Sequence, residues 1–133
     1  MSYSYSAAMI DLIDLVLANL PSGLTAKNVD TPNGKVVSTG DKWARLSFAT
    51  LASENITPTW LRDECIFSVD LFYPQGKGVI QQMQDAEQLR KLIENSTHGN
   101  AIASKALIND IGKDGSHYHI QLQQTFHFEG KQA

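Results

Sequence analysis

Cysteine is almost missing from these 133 residues: there is one, Cys65, so no disulfide can form within the chain. A reducing compartment is therefore the simpler setting. Cys65 sits in an apolar run with no basic cluster around it, and it reads as a small buried hydrophobe rather than a nucleophile. A basic excess is missing too. Lys and Arg number 11 against 14 Asp and Glu, for a formal net charge of -3. Proteins that coat phosphates carry the opposite balance, so nucleic-acid specificity is not expected. No apolar run approaches the ~18 residues of a membrane span. Residues Met1 to Ser6 lack the basic flank of a secretory signal. The expected setting is the cytoplasm, with no membrane partner. The chain also has no internal repeat and no low-complexity segment.

What remains is ordinary globular material, 42% apolar and 19% charged. It fits one domain over residues 1–133, large enough to bury about two-thirds of its unfolded surface. Ala8 to Leu20 has apolar residues at helical spacing (Ile10, Ile13, Leu17, Leu20), widened by Met9, Leu12 and Val16, and Pro21 and Gly23 stop it. Asp11 and Asp14 read as its solvated face. Thr25 to Asp41 is rich in turn formers and reads as a long connection with a short strand at Lys35 to Ser38. Lys42 to Thr50 alternates: Ala44, Leu46 and Phe48 on one side; Trp43, Arg45 and Ser47 on the other. A second loop, Leu51 to Trp60, is expected around Pro58. Glu64 to Tyr73 is the strongest strand, with Cys65, Phe67, Val69, Leu71 and Tyr73 in one row. Ile66 and Phe72 make its other face partly apolar, which places it centrally. Asp70 shares that second face and needs a partner or water.

A helix from about Gly78 to Asn95 follows, and then two strand-like runs joined at Asp114-Gly115, a hairpin signal. In the last run Tyr118, Ile120, Leu122, Phe126 and Phe128 share one face. His117, His119, Gln121, Gln123, Thr125 and His127 share the other. Hairpins rather than βαβ units dominate, so the fold class is α+β: a mostly antiparallel or mixed sheet of about four to five strands with two main helices packed against it. The shared periodicity predicts a core of Ile10, Ile13, Leu17, Leu46, Phe67, Val69, Leu71, Ile80, Met83, Ile93, Ile120, Leu122 and Phe126.

Chemistry is harder to find. "LFYPQGKGVIQQM", Leu71 to Met83, runs strand, glycine turn, helix, as a phosphate-binding loop does. A P-loop needs an earlier glycine and a hydroxyl after its lysine, and Gly76-Lys77-Gly78-Val79 has neither. A dinucleotide fingerprint fails as well, because Gln81 stands where its third glycine should be. The turn reads as a connector. His117 and His119 are two apart on one strand face, about 7 Å between Cα atoms, and can supply two metal ligands. Only Cys65 or Asp70 hints at a third. No G-x-S-x-G elbow marks a nucleophile. The expectation is no enzyme, no cofactor and no metal site, with a small metal protein or an enzyme using the His117/His119 face as the alternative of a different class. The stretch "TPTWLRDE", Thr57 to Glu64, puts Trp60 and Arg62 beside acids. Those two residue types are the most enriched at binding hot spots. Trp60, Arg62 and Asp63, with Arg45, are the candidate protein-interface residues.

The order of these pieces resembles a known family. An N-terminal helix leads to a loop and a strand. An Arg-containing loop then enters a strand ending in "FYPQGKG", a helix of the type "DAEQLRKLIE" follows, and a hairpin closes the chain. From about Ala8 to Phe128 the chain resembles the tail terminator, or tail completion, proteins of long-tailed bacteriophages, the lambda-type family. The best local match is Arg62 to Ile93, where Arg62 and the Pro74-Gln75-Gly76-Lys77-Gly78 turn fit. Cys65 departs from a position where glycine is common. The resemblance implies a structural phage or prophage protein forming a hexameric ring that caps the tail tube and stops its polymerisation. Its partners would be its own copies, the major tail tube protein and a head-completion or connector protein. It would act in the host cytoplasm during assembly and then in the virion tail. Another head-tail connector or a minor tail protein is the neighbouring alternative.

Overall fold

The structure is a computed structural model, and it describes residues 5–21, 23–29, 42–76, 78–94, 97–98 and 101–131. Among the described residues two helices and six strands follow in the order α1 (Tyr5–Ala18), β1 (Thr25–Val29), β2 (Trp43–Thr57), β3 (Trp60–Pro74), α2 (Ile80–Ile93), β4 (Thr97–His98), β5 (Ala101–Asp114), β6 (His117–Lys131). All strands join one sheet, ordered β1-β2-β3-β6-β5-β4. Four long antiparallel strands form its body. Short β1 lies parallel to β2 at one edge, and two-residue β4 lies at the other. This is one α+β domain with both helices packed against the sheet. No helix among the described residues is long and apolar enough to cross a membrane.

The alternation in β3 decides the layering. Cys65, Phe67, Val69, Leu71 and Tyr73 are buried under the helices with Ala44 and Leu46 of β2 and Ile120, Leu122, Phe126 and Phe128 of β6. Leu12 and Val16 of α1 and Ala86, Leu89 and Ile93 of α2 close this core from above. The period-two prediction for β3 and β6 is correct, because side chains of a strand alternate between faces. The prediction for α1 is not. Ile10 and Leu17 are exposed, at 58% and 41%, while Leu12 and Val16 are fully buried. Ile80 is exposed as well, at 75%. It opens α2 ahead of the stretch that crosses the sheet. Ile13 and Met83 are half-buried against the core.

Two expected loops also change. The strand between the first helix and Lys42 lies at Thr25–Val29, and the expected one at Lys35 to Ser38 lies outside the described residues. Leu51 to Thr57 is strand, the continuation of β2, and only Pro58 and Thr59 separate it from β3. The segment "LASENIT" has no clean alternation of its own; pairing with β3 holds it extended, with bulges between Thr50 and Ala52 and between Asn55 and Thr57. The other hairpin matches its signal. Gly115, at φ 61°, occupies the first of two loop positions between Asp114 and His117, where primed turns require positive φ.

The glycine turn after β3 acts as a clamp between connections. The Gln75 backbone N–H donates to the Ser116 carbonyl at 3.1 Å, and its Nε2 donates to the carbonyls of Gly115 at 2.6 Å and His117 at 3.2 Å. The β3–α2 connection is thus tied to the β5–β6 turn. Gln82, buried in the first turn of α2, donates from Nε2 to the carbonyls of Leu71 and Tyr118, both at 2.8 Å, and so fixes the helix over β3 and β6. At its other end the Glu94 carboxylate accepts from Arg90 Nε at 3.0 Å and from the Ala106 backbone N–H at 2.7 Å. Ala106 ends a bulge in β5, so Glu94 ties the helix terminus to one of the two sites where the β5–β6 register shifts.

Candidate functional site

Both helices occupy one side of the sheet, and the other side carries the polar residues of the central strands. Register assembles them into rungs. Trp43 of β2 stands opposite Phe72 of β3, which stands opposite His119 of β6. Their rings stack across the three strands, with centroids 4.1 Å apart for Trp43–Phe72 and 4.3 Å for Phe72–His119. The next rung is Arg45, Asp70 and Gln121. Asp70 is 1% exposed. Its Oδ1 meets His119 Nε2 at 2.7 Å and accepts from Gln121 Nε2 at 2.9 Å; its Oδ2 accepts from Arg45 Nε at 3.2 Å. The Arg45 guanidinium also lies 5.3 Å from the Phe72 ring centroid, over its face.

This cluster answers the requirement that an acid within a central strand be partnered. Burial, the largest single influence, pushes the Asp70 carboxyl up. The hydrogen bond from His119, the Arg45 charge and the Gln121 amide outweigh it together and hold the carboxyl below its usual range. A carboxylate that accepts three bonds is acceptor-only, so Nε2 is the protonated nitrogen of His119. The Trp43 indole N–H, buried beside this cluster, finds no acceptor among the described residues.

The histidine face is drier than its glutamine neighbours imply. His117 and His119 are both buried, at 3% and 8% exposure. They are engaged differently. His119 belongs to Asp70 and Phe72, while His117 lies 3.1 Å from the Ser116 hydroxyl and meets Trp43 edge-on at 6.5 Å. Among the described residues no group of three His, Cys, Asp or Glu could hold a metal ion. His127, farther along the face, lies 3.4 Å from Glu64.

The interface candidates fall at two ends of the sheet. Trp60, 40% exposed, opens β3 next to the Pro58-Thr59 turn, its N–H donating to Thr57 Oγ1 at 3.1 Å. Arg62 follows on the strand, half-buried, and not on a loop as expected; its register partners are Glu54 of β2 and Glu129 of β6. Trp60, Arg62 and Asp70 differ by even steps along β3, so they share the face that the helices leave uncovered. Asp63 is on the helix side, in register with Phe128. Arg45 shares the uncovered face with Arg62, but Asp70, its partner, is eight residues away along β3, about 26 Å. The structure therefore separates Arg45 from the Trp60–Arg62 end.

Cys65 is buried in the core row. Beside the glycine turn lies an open pocket of about 120 Å³ lined by Pro74, Gln75, Gly76, Val79, Lys113 and Tyr118 among others; Lys77 lies outside the described residues. One buried polar pair went unsignalled in the sequence. The Tyr73 hydroxyl donates to Asp85 of α2, which also accepts from Gln81 at 3.0 Å. Burial first, and then the Asp85 carboxylate, push the Tyr73 phenol well above its ordinary value. The signal was available in principle: an acid at helical spacing from Gln82 and Leu89 falls on the buried stripe.

No protein-family model matches the chain. No curated protein matches it either. Among the solved structures that match, one that carries no functional description has a TM-score of 0.58 over 92% of this chain and 91% of its own, with 15% of residues identical. At that identity the likeness speaks for the fold alone.

Proposed function

We propose that the protein is a structural component of a long-tailed bacteriophage or prophage, a tail terminator. It caps the end of the tail tube as a ring, stops tube polymerisation and presents the surface to which the head is joined. The observation that carries this reading is the block from Arg62 to Ile93. Arg62 lies at the start of the central strand, the strand ends at Pro74, and Gly76 and Gly78 turn the chain at positive φ into α2. That is the order that the resemblance to the lambda-type family implies. Among the described residues both helices lie on one side of the sheet, which supports it further, because the other side carries the half-buried Gln121, Gln123 and Thr125 and, at its turn end, Trp60 and Arg62. Its partners are its own copies in a hexameric ring, the major tail tube protein and a head-completion protein. It acts in the host cytoplasm during assembly and then in the virion tail.

The test is tube length. Purified protein is added to polymerising tube protein, and tubes are measured by electron microscopy. Shorter, capped tubes are expected. Arg62→Glu, which reverses the charge at the proposed contact, is expected to restore long tubes while its circular dichroism stays that of the wild type. Tube lengths untouched by the wild-type protein would overturn the reading. Capping by Arg62→Glu as effective as that of the wild type would remove Arg62 from the contact.

A further inference from the structure

The side of the sheet away from the helices is buried at one end. Asp70, Phe72 and His117 are 1%, 3% and 3% exposed there, and Trp43 and His119 are both 8% exposed. The Trp43 indole nitrogen is out of reach of water as well. Stacking hides the faces of the Trp43, Phe72 and His119 rings from solvent but not the edges that point away from the sheet. Among the described residues no helix or strand lies over those edges. The burial also fades along the strands: on the same side Ser47 and Ser68 are half-buried and Ala49 is exposed. A cover of limited extent therefore sits over the first two rungs. Those rungs lie beside β1, which runs level with Trp43 to Leu46.

Chain direction names the cover. β3 and β5 both run antiparallel to β6, so they are parallel, and α2 carries the chain from one to the other on the helix side. β1 and β2 are parallel neighbours and run opposite to β3. Both connections move the same way along the sheet, toward β4. Two such crossovers that start from strands of opposite direction share one hand only if they pass on opposite sides. Crossovers between parallel strands are right-handed in about 98% of cases, so the one from β1 to β2 belongs on the side that α2 does not occupy. Residues 30–41, outside the described residues, make that connection: the described chain stops at Val29, level with Leu46, and resumes at Lys42. Fully extended they reach about 40 Å, and the three strand spacings from β1 to β6 are about 14 Å. Val36 and Val37 are their apolar pair. We infer that residues 30–41 pack on the Trp43–Phe72–His119 stack and the Asp70 rung below it. Arg45, lying over Phe72, is then shielded from partners. A partner on this side of the sheet meets the Trp60–Arg62 end instead, whether or not the chain forms a ring.

The experiment places a nitroxide on the full chain at Ser38→Cys; Cys65 is buried and stays unlabelled. Nuclear magnetic resonance then reads which side the label broadens. The Trp43 indole N–H and the Gln121 side-chain amide are expected to lose most of their intensity. The Gln82 amide, which lies between α2 and the sheet, is expected to keep its own. Broadening of Gln82 in preference to Trp43 and Gln121, or of none of the three, would overturn the inference. A second measurement uses Trp60→Phe, which leaves Trp43 as the one tryptophan. Acrylamide is expected to quench it weakly. Replacing residues 31–40 in that chain by glycine and serine at equal length should raise quenching severalfold while circular dichroism stays that of the wild type. Unchanged quenching in a replaced chain that folds would overturn the inference too. If the replaced chain does not fold, the nitroxide result decides alone.

Discussion

Replacing Asp70 tests the rung geometry most directly. In Asp70→Ala the His119 and Gln121 donors lose their acceptor on the uncovered face, and Arg45 loses its ion pair. Breaking a buried pair from one side costs roughly 3–5 kcal/mol, since the remaining partners stay desolvated. The Arg45 side chain is 35% exposed and can turn to water, which puts the expectation at the lower end, about 3–4 kcal/mol. Unfolding entropy near 60 °C is about 2.1 cal/mol/K per residue, or about 0.28 kcal/mol/K for a chain of this length. The expected fall in thermal midpoint is therefore roughly 11–14 °C at pH 7. The pH dependence supplies a second check. The folded-state pKa of Asp70 is depressed, so its contribution is present above its unfolded pKa, about 4, and is lost as pH falls through the lower folded value. The difference between wild type and Asp70→Asn should accordingly shrink between pH 5 and about pH 2. Scanning calorimetry across pH measures both. An Asp70→Ala midpoint within about 3 °C of the wild type, or an Asp70→Asn gap that is as wide at pH 2 as at pH 7, would refute the network as an energetic unit.

Tyr73→Phe leaves the buried Asp85 carboxylate with one donor fewer, and is expected to destabilise by about 1–3 kcal/mol in urea unfolding. The wild type should also lose stability as pH rises past 10 while Tyr73→Phe loses less, because the phenol is held protonated only in the folded state. Leu12→Ala should cost roughly 2–5 kcal/mol, whereas Ile80→Ala should stay within about 0.5 kcal/mol; equal losses would mean that the helices face the other way.

The strand alternation determined the sheet's two faces by itself. Cys65 to Tyr73 and Ile120 to Phe128 write burial with a period of two, and no register slip can change it without turning every apolar residue outward. The turn signalled at Asp114-Gly115 was equally local, because the first loop position, Gly115, has positive φ, which asks for glycine. The helix α1 was not legible in this way. It is apolar on more than one side, and only packing against the sheet chose Leu12 and Val16 over Ile10 and Leu17. "LASENIT" looked like a loop because its extended form is held by β3, not by its own pattern. The buried rung was half visible: Asp70 had to have partners, but Arg45 lies 25 residues before it and His119 49 residues after. Local pattern records which side of a strand a residue is on. Which residues from distant strands meet there depends on strand order and register, and those are set by the core packing of the whole chain.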